Sequence, residues 1–316
     1  MLHVGFAASR ITPPVGAEIP GLFDKRLATG VADELYVRAV VVSDATWTVA
    51  IAQVDAIALP NDVVRIARAR IRRDTGIPAH CCLLAATHTH SGGPVAELFA
   101  SRADKRYLAQ VTGAIGKTVA RAWSSRLPAV IGTAITHAPG VAFNRRFAMK
   151  DGTQKTHPGK MNPDIDHPAG PADDTVTTIG FRHAKTFAPL GCIVNFGCHA
   201  THMNGVEFSA DYPRWVVETL GSAYGEGFGA VFLNAPCGDV TQVDNCSPRA
   251  AEFGPYWCER TGRAVGAAAL LGLATMDYVK RATIDAAVTR LPCAIRRGTP
   301  AELKQARAVL ARRALD

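Results

Sequence analysis

Cys81-Cys82-Leu83-Leu84-Ala85-Ala86-Thr87-His88-Thr89-His90-Ser91-Gly92-Gly93-Pro94 is the stretch on which the reading of the fold turns. The apolar run from Cys81 to Ala86 is short and closed by turn residues, as a buried strand would be. Side chains alternate between the faces of a strand, so His88 and His90 are expected to point the same way. Ser91 to Pro94 stops the strand and lets backbone approach whatever the histidines hold. Two imidazoles at a strand end, beside exposed amides, suit a metal-assisted hydrolase. They equally suit two polar residues at a sheet edge, hydrogen-bonded to backbone, and this stretch alone supports either reading.

Upstream, Val4 to Arg10 is a short strand closed by Thr12-Pro13-Pro14. A loop rich in Gly and Pro leads to two strands, Leu35 to Ser43 and Trp47 to Asp55, rich in Val and Ile. Asn61 is expected to cap a helix that runs to about Asp74, with Gly76-Ile77-Pro78 ending it. Downstream, a helix from about Arg102 to Trp123 precedes a strand from Ala129 to Ala138. Residues 150 to 174 lack periodicity and read as a long surface loop, either a binding lid or a plain excursion. Val176 to Phe181 and Leu190 to Phe196 form a strand pair. Tyr212 to Ala223 is a helix, Ala230 to Asn234 a buried strand, Trp257 to about Leu273 a helix, and Ala282 to Leu291 a final strand. An amphipathic helix from Pro300 to Leu315 closes the chain. This alternation predicts an α/β fold, a mixed β-sheet covered by helices, with the site at the C-terminal ends of strands, where Asp55, His88 and Asn234 lie.

The totals fit that picture. With 316 residues, 48% hydrophobic and 20% charged, the chain has an ordinary globular balance and enough length for a sizeable core. The net charge of +8 is spread along the chain rather than gathered into an aromatic-laced patch, so nucleic acid is not expected as a partner. Eight cysteines include no CxxC pair, which argues against a thiolate zinc site. Neither a signal peptide nor a transmembrane segment is evident, so a cytoplasmic location is expected.

A second histidine cluster, Val194-Asn195-Phe196-Gly197-Cys198-His199-Ala200-Thr201-His202, also follows an apolar strand, and His199 can meet His88 across the top of the sheet. Catalytic zinc takes about three protein ligands, so two histidines leave a deficit. Asp55, Asp211 and Asp239 are the nearby carboxylates, each better suited to orienting an imidazole than to ligation. A third motif, Asn234-Ala235-Pro236-Cys237-Gly238-Asp239-Val240-Thr241, places a carboxylate and a hydroxyl after a buried strand. Thr241 is either an activated nucleophile or a turn cap. Ser209-Ala210-Asp211-Tyr212-Pro213 reads as a helix start.

Taken in order, Ile11-Thr12-Pro13-Pro14, Thr87-His88-Thr89-His90-Ser91-Gly92, Phe143-Asn144-Arg145, Cys198-His199-Ala200-Thr201, Ser209-Ala210-Asp211 and Gly238-Asp239-Val240-Thr241 resemble the catalytic domain of the neutral (alkaline, non-lysosomal) ceramidase family. The resemblance covers essentially the whole chain, and THTHSG is its most specific piece. It implies a zinc-dependent amidohydrolase that cleaves an N-acyl amide bond, as in ceramide to sphingosine and fatty acid, and so a lipid or small-molecule N-acyl substrate. It further implies His88 and His199 as metal ligands, with His90 on the substrate side, Arg145 in contact with substrate, and Asp239 and Thr241 in the catalytic set. Thr241 stands where the family has serine. The family completes its zinc site with a glutamate and a tyrosine farther downstream and adds an immunoglobulin-like domain. Residues 1–316 are therefore expected to be a single ceramidase-like domain incomplete at its C-terminus. The rival expectations are a related metallohydrolase that cuts an ester or a small N-acyl compound, and a non-catalytic ceramidase-like protein.

Overall fold

Strands rich in Val, Ile and Ala pair into a nine-stranded mixed sheet in the computed structural model, which describes residues 1–295 and 297–313. The strands are β1 (Leu2–Arg10), β2 (Tyr36–Ser43), β3 (Thr48–Val54), β4 (Cys82–Ala86), β5 (Leu127–His137), β6 (Thr175–His183), β7 (Pro189–Phe196), β8 (Gly229–Asn234) and β9 (Tyr278–Val279). Their spatial order is β8-β7-β6-β5-β1-β2-β3-β4, with β9 beside β5. The middle of the sheet is antiparallel, and the parallel pairs β3/β4 and β7/β8 lie at its two ends. A parallel pair needs a crossover, here supplied by helices α1 (Asn61–Thr75) between β3 and β4 and α3 (Tyr212–Tyr224) between β7 and β8. Helices α2 (Lys105–Ser124) and α4 (Pro255–Thr275) complete the covering layers.

Alternation along the strands divides the core into three parts. On β2, Val37, Ala39 and Val41 pack in a cluster with Val63, Ala67 and Ile71 of α1 and Val111, Ile115 and Val119 of α2. On β7, Cys192, Val194 and Phe196 join Tyr212, Val216 and Leu220 of α3 and Val265 and Ala269 of α4. The opposite faces meet each other: Val4, Val40, Ala129, Phe181, Ile193 and Val231 form an inner cluster drawn from both halves of the sheet. The sheet therefore folds over on itself, giving helix, sheet, sheet and helix layers. Strands buried on both faces read as continuous apolar runs rather than clean alternations, which is why these segments were legible as strands. The layers approach closely at Gly5 of β1, where a Cβ would lie 2.0 Å from the Ala122 carbonyl oxygen of α2. Folding the sheet over also brings the C-terminal ends of its two terminal parallel pairs to one place, and the histidine turns leave from there.

Several expectations shift. Pro60, not Asn61, is the N-cap of α1, and no side chain caps that end. Helix α2 begins three residues later than expected, because Asp104 accepts hydrogen bonds from the Arg106 and Tyr107 amides and sets the start. The expected strand from Ala282 to Leu291 is absent. Tyr278–Val279 takes the short length of β5 edge that is open, and the following residues run as irregular chain. Residues 150 to 174 are not wholly irregular, since Gln154–Thr156 and Ile165–Pro168 flank Arg146–Met149 in a three-stranded ribbon. From Ala287 the chain forms a separate unit that carries one helix, α5 (Pro300–Arg313); Ala314 and Leu315, the expected end of that helix, lie outside the described residues. Among the described residues, no helix is long and apolar enough to cross a membrane.

Candidate metal centre

Strand β4 ends at Ala86, so His88 and His90 sit in the turn after it rather than on the strand. Strand alternation is thus not what brings them together. His88 has φ of 66°, a left-handed conformation that few non-glycine residues adopt. Strain of this kind persists where the surroundings over-determine it, and here they do. The His88 amide donates to the Ala56 carbonyl, the Thr89 hydroxyl to the Ser209 carbonyl, and the His90 amide to the Ala200 carbonyl. The second turn is fixed in the same manner: the His199 amide donates to the Val240 carbonyl.

Those restraints converge three imidazoles. Nε2 of His88 lies 3.1 Å from Nε2 of His199 and 3.4 Å from Nε2 of His90. The outward nitrogens are all occupied: Nδ1 of His88 lies 2.8 Å from the Ile57 carbonyl oxygen, that of His90 2.8 Å from Gly21, and that of His199 2.9 Å from Cys237. A carbonyl oxygen only accepts, so each Nδ1 carries the proton and, in the neutral imidazole, each Nε2 presents a lone pair. Burial, reinforced by the neighbouring histidines, pushes His90 down to about 3. Burial also takes His199 down to about 4, with the Cys237 carbonyl opposing and His88 and Arg145 adding to the shift. Three lone pairs facing one another repel unless a cation lies between them. Imidazole nitrogen suits zinc, copper, iron and nickel, so this donor set fits a transition metal. Among the described residues, His88, His90 and His199 are the one group of three or more potential ligands gathered this closely.

The structure thus brings His90 into the same cluster as the two histidines expected to ligate metal, and makes backbone carbonyls the partners of all three rings. None of the three carboxylates orients these imidazoles. Asp55 is fully buried against the Tyr36 amide, Arg38 and Gln53. Asp211 caps α3 and holds the buried His202, whose other nitrogen meets Thr261. Asp239 accepts from the Asn144 side chain, while its carbonyl takes the Arg145 amide. Arg145 clamps the Gly238 carbonyl through Nε and Nη2, and its charge acts on His199. Thr241 is buried, and its hydroxyl donates to Gln242 Oε1 at 2.8 Å. Thr241 thus lies in a short strand paired with Phe143–Asn144 rather than capping a turn, and an attacking role requires its hydroxyl to leave the Gln242 bond.

Other residues were missed. Gly21 has φ of 121°, and a Cβ there would sit 2.7 Å from Ile57 Cδ1 and 2.9 Å from His90 Nδ1, so glycine alone lets its carbonyl reach the ring. Arg26 is buried and donates to the carbonyls of His90, Gly205 and Pro20, tying three loops around the cluster. Its place after Gly21 in a Gly- and Pro-rich loop was the available signal. His157, an exposed residue in the ribbon region, has its basicity lowered by partial desolvation from the surrounding chain and by Arg145, and it bears in turn on His199.

Compared with solved structures, the chain is similar to neutral ceramidase from Pseudomonas aeruginosa, with a TM-score of 0.71 and 20% identity over 87% of this chain and 45% of that one. It is also similar to a structure described as ceramidase complexed with C2, with a TM-score of 0.70 and 20% identity over 87% of this chain and 44% of the other. The chain spans less than half the length of these proteins. The likeness establishes the fold, which is that of neutral ceramidase over the shared part. No family model matches the chain, and no curated protein matches it.

Proposed function

We propose that this chain is a metal-dependent hydrolase of N-acyl amide bonds, with zinc held by the Nε2 atoms of His88, His90 and His199. The observation that carries this reading is the convergence of three proton-free nitrogens whose opposite ring nitrogens all donate to backbone. Three protein ligands and an open position are the usual arrangement of catalytic zinc. The fold shared with neutral ceramidase directs the reading toward amides of fatty acids.

Zinc, when bound, acts as a Lewis acid toward the acyl carbonyl. The protein's own part is to hold the three imidazoles in one tautomer through their Nδ1 contacts to backbone carbonyls, and to keep the His90 and His199 rings neutral so that no proton competes for their Nε2 near neutral pH. Arg145 brings a fixed positive charge next to His199, suited to receive negative charge that develops on the carbonyl oxygen. Asp239 and Asn144 keep the Arg145 backbone in place. In this scheme the Thr241 hydroxyl stays bonded to the Gln242 side chain, and the attacking oxygen is that of water.

Elemental analysis of the purified chain is expected to give about one zinc per chain, and a panel of N-acyl amides with matched esters is expected to show faster turnover of the amides. Metal without amide turnover, but with ester turnover, would replace the substrate assignment. A chain purified in the presence of zinc that retains none would refute the centre.

A further inference from the structure

Asn234, the last residue of β8, stands between the two histidine turns. Its Nδ2 lies 3.0 Å from the carbonyl oxygen of Thr87 and 3.0 Å from that of Cys198, and its Oδ1 accepts the Cys198 amide at 3.3 Å. Thr87 immediately precedes His88, and Cys198 immediately precedes His199. The two turns leave opposite ends of the folded-over sheet, so one carboxamide spans the junction of its halves. On the other side of the cluster, the His90 amide closes the same junction onto the Ala200 carbonyl.

From this placement we propose that Asn234 is a positioning residue for the metal centre: its two N–H groups set the separation of His88 and His199. A planar amide carries its two hydrogens at a fixed angle, so it specifies the distance and direction between the two carbonyls it binds. No other side chain of similar size supplies two donors and an acceptor in one plane. Alanine removes the bridge. Aspartate keeps the shape but puts carboxylate oxygen against two carbonyl oxygens, which pushes the turns apart. Serine keeps one donor and reaches one carbonyl at most. The inference rests on the reading that the three histidines hold a metal.

The test is cobalt(II) affinity, measured by competition against a chromophoric chelator, for the unaltered chain and for Asn234→Asp, Asn234→Ala and Asn234→Ser, with Tm recorded for each. Loss of an outer partner of a metal ligand typically lowers affinity about 10- to 100-fold, and we expect Asn234→Asp and Asn234→Ala to fall in that range with Asn234→Ser between them and the parent. The aspartate variant is the discriminating one. Added negative charge close to a dication raises affinity if electrostatics alone governs the site, whereas the bridging role requires a fall although every ligand is retained. The visible cobalt spectrum of Asn234→Ser is expected to differ from the parent's, which a merely stabilising role would not produce. Undiminished affinity in any folded variant overturns the role of Asn234. Failure of the unaltered chain to take up cobalt overturns the metal centre, and this role with it.

Discussion

Each imidazole of the cluster has its proton placed by a carbonyl, and that placement determines how the site behaves with pH. His90 and His199 are pushed well below the ordinary histidine range. A depressed value in the folded chain means that folding favours the neutral ring. The associated stability is present above the unfolded value of about 6.5 and is lost as pH falls through the folded values. In the metal-free chain, the ring resonances of His90 and His199 are expected to stay in the neutral position down to pH 5; midpoints near 6.5 by NMR would contradict the burial argument. Gly21 supplies a second test at this scale. Gly21→Ala strains a left-handed backbone and drives a methyl against the His90 ring. It is expected to lower metal affinity about 10-fold, as loss of an outer-shell partner does, and equal affinity in a chelator titration would remove the Gly21–His90 contact from the account.

Elements carry these residues to one place, and their packing yields its own tests. Gly5→Ala sets a methyl against the α2 backbone at Ala122, and overpacking against rigid backbone is expected to cost about 3 kcal/mol in urea unfolding. A loss under 1 kcal/mol would mean that β1 and α2 are farther apart than described. The ribbon segment around His157 is tied down by Lys160, whose Nζ binds both oxygens of the buried Glu252 and the Asp244 carbonyl. Arg249 lies 3.6 Å from the same carboxylate and softens the loss of the lysine. Lys160→Met is expected to destabilise by about 3 kcal/mol, the lower end for stranding a buried partner, and to speed hydrogen exchange at residues 154–168. Unchanged exchange there would show that the segment is held by other bonds.

How legible this was in the sequence also differs from element to element. Strands such as Tyr36–Ser43 and Thr48–Val54 were readable because they are largely buried, so Val, Ile and Ala dominate them with few polar residues such as Arg38 and Gln53. Helix α2 began late because an Asp side chain, not the apolar period, sets its first turn. Ala282 to Leu291 has strand-like composition, but the β5 edge beside it accommodates only Tyr278 and Val279. At the site, His88 and His199 were found by their position after apolar runs. The spacing of His90 pointed to the cluster by way of strand alternation, which is not what operates there. The carbonyls of Ile57, Gly21 and Cys237 were out of reach, since any residue offers a carbonyl and only the fold aims it.

For the molecule as a whole, the folded-over sheet explains why one site draws on segments as distant as Gly21 and Cys237. Its two ends each present a parallel pair, and each pair delivers a histidine turn. The central claim is that this fold assembles a three-nitrogen metal centre from the chain's own residues. The most direct measurement is X-ray absorption at the zinc edge on the purified, zinc-loaded chain, repeated on His90→Ala. The account predicts three imidazole nitrogens at about 2.0–2.1 Å in the unaltered chain and two in the variant. Two in both would return His90 to the substrate side, and an absence of imidazole ligands would contradict the centre altogether.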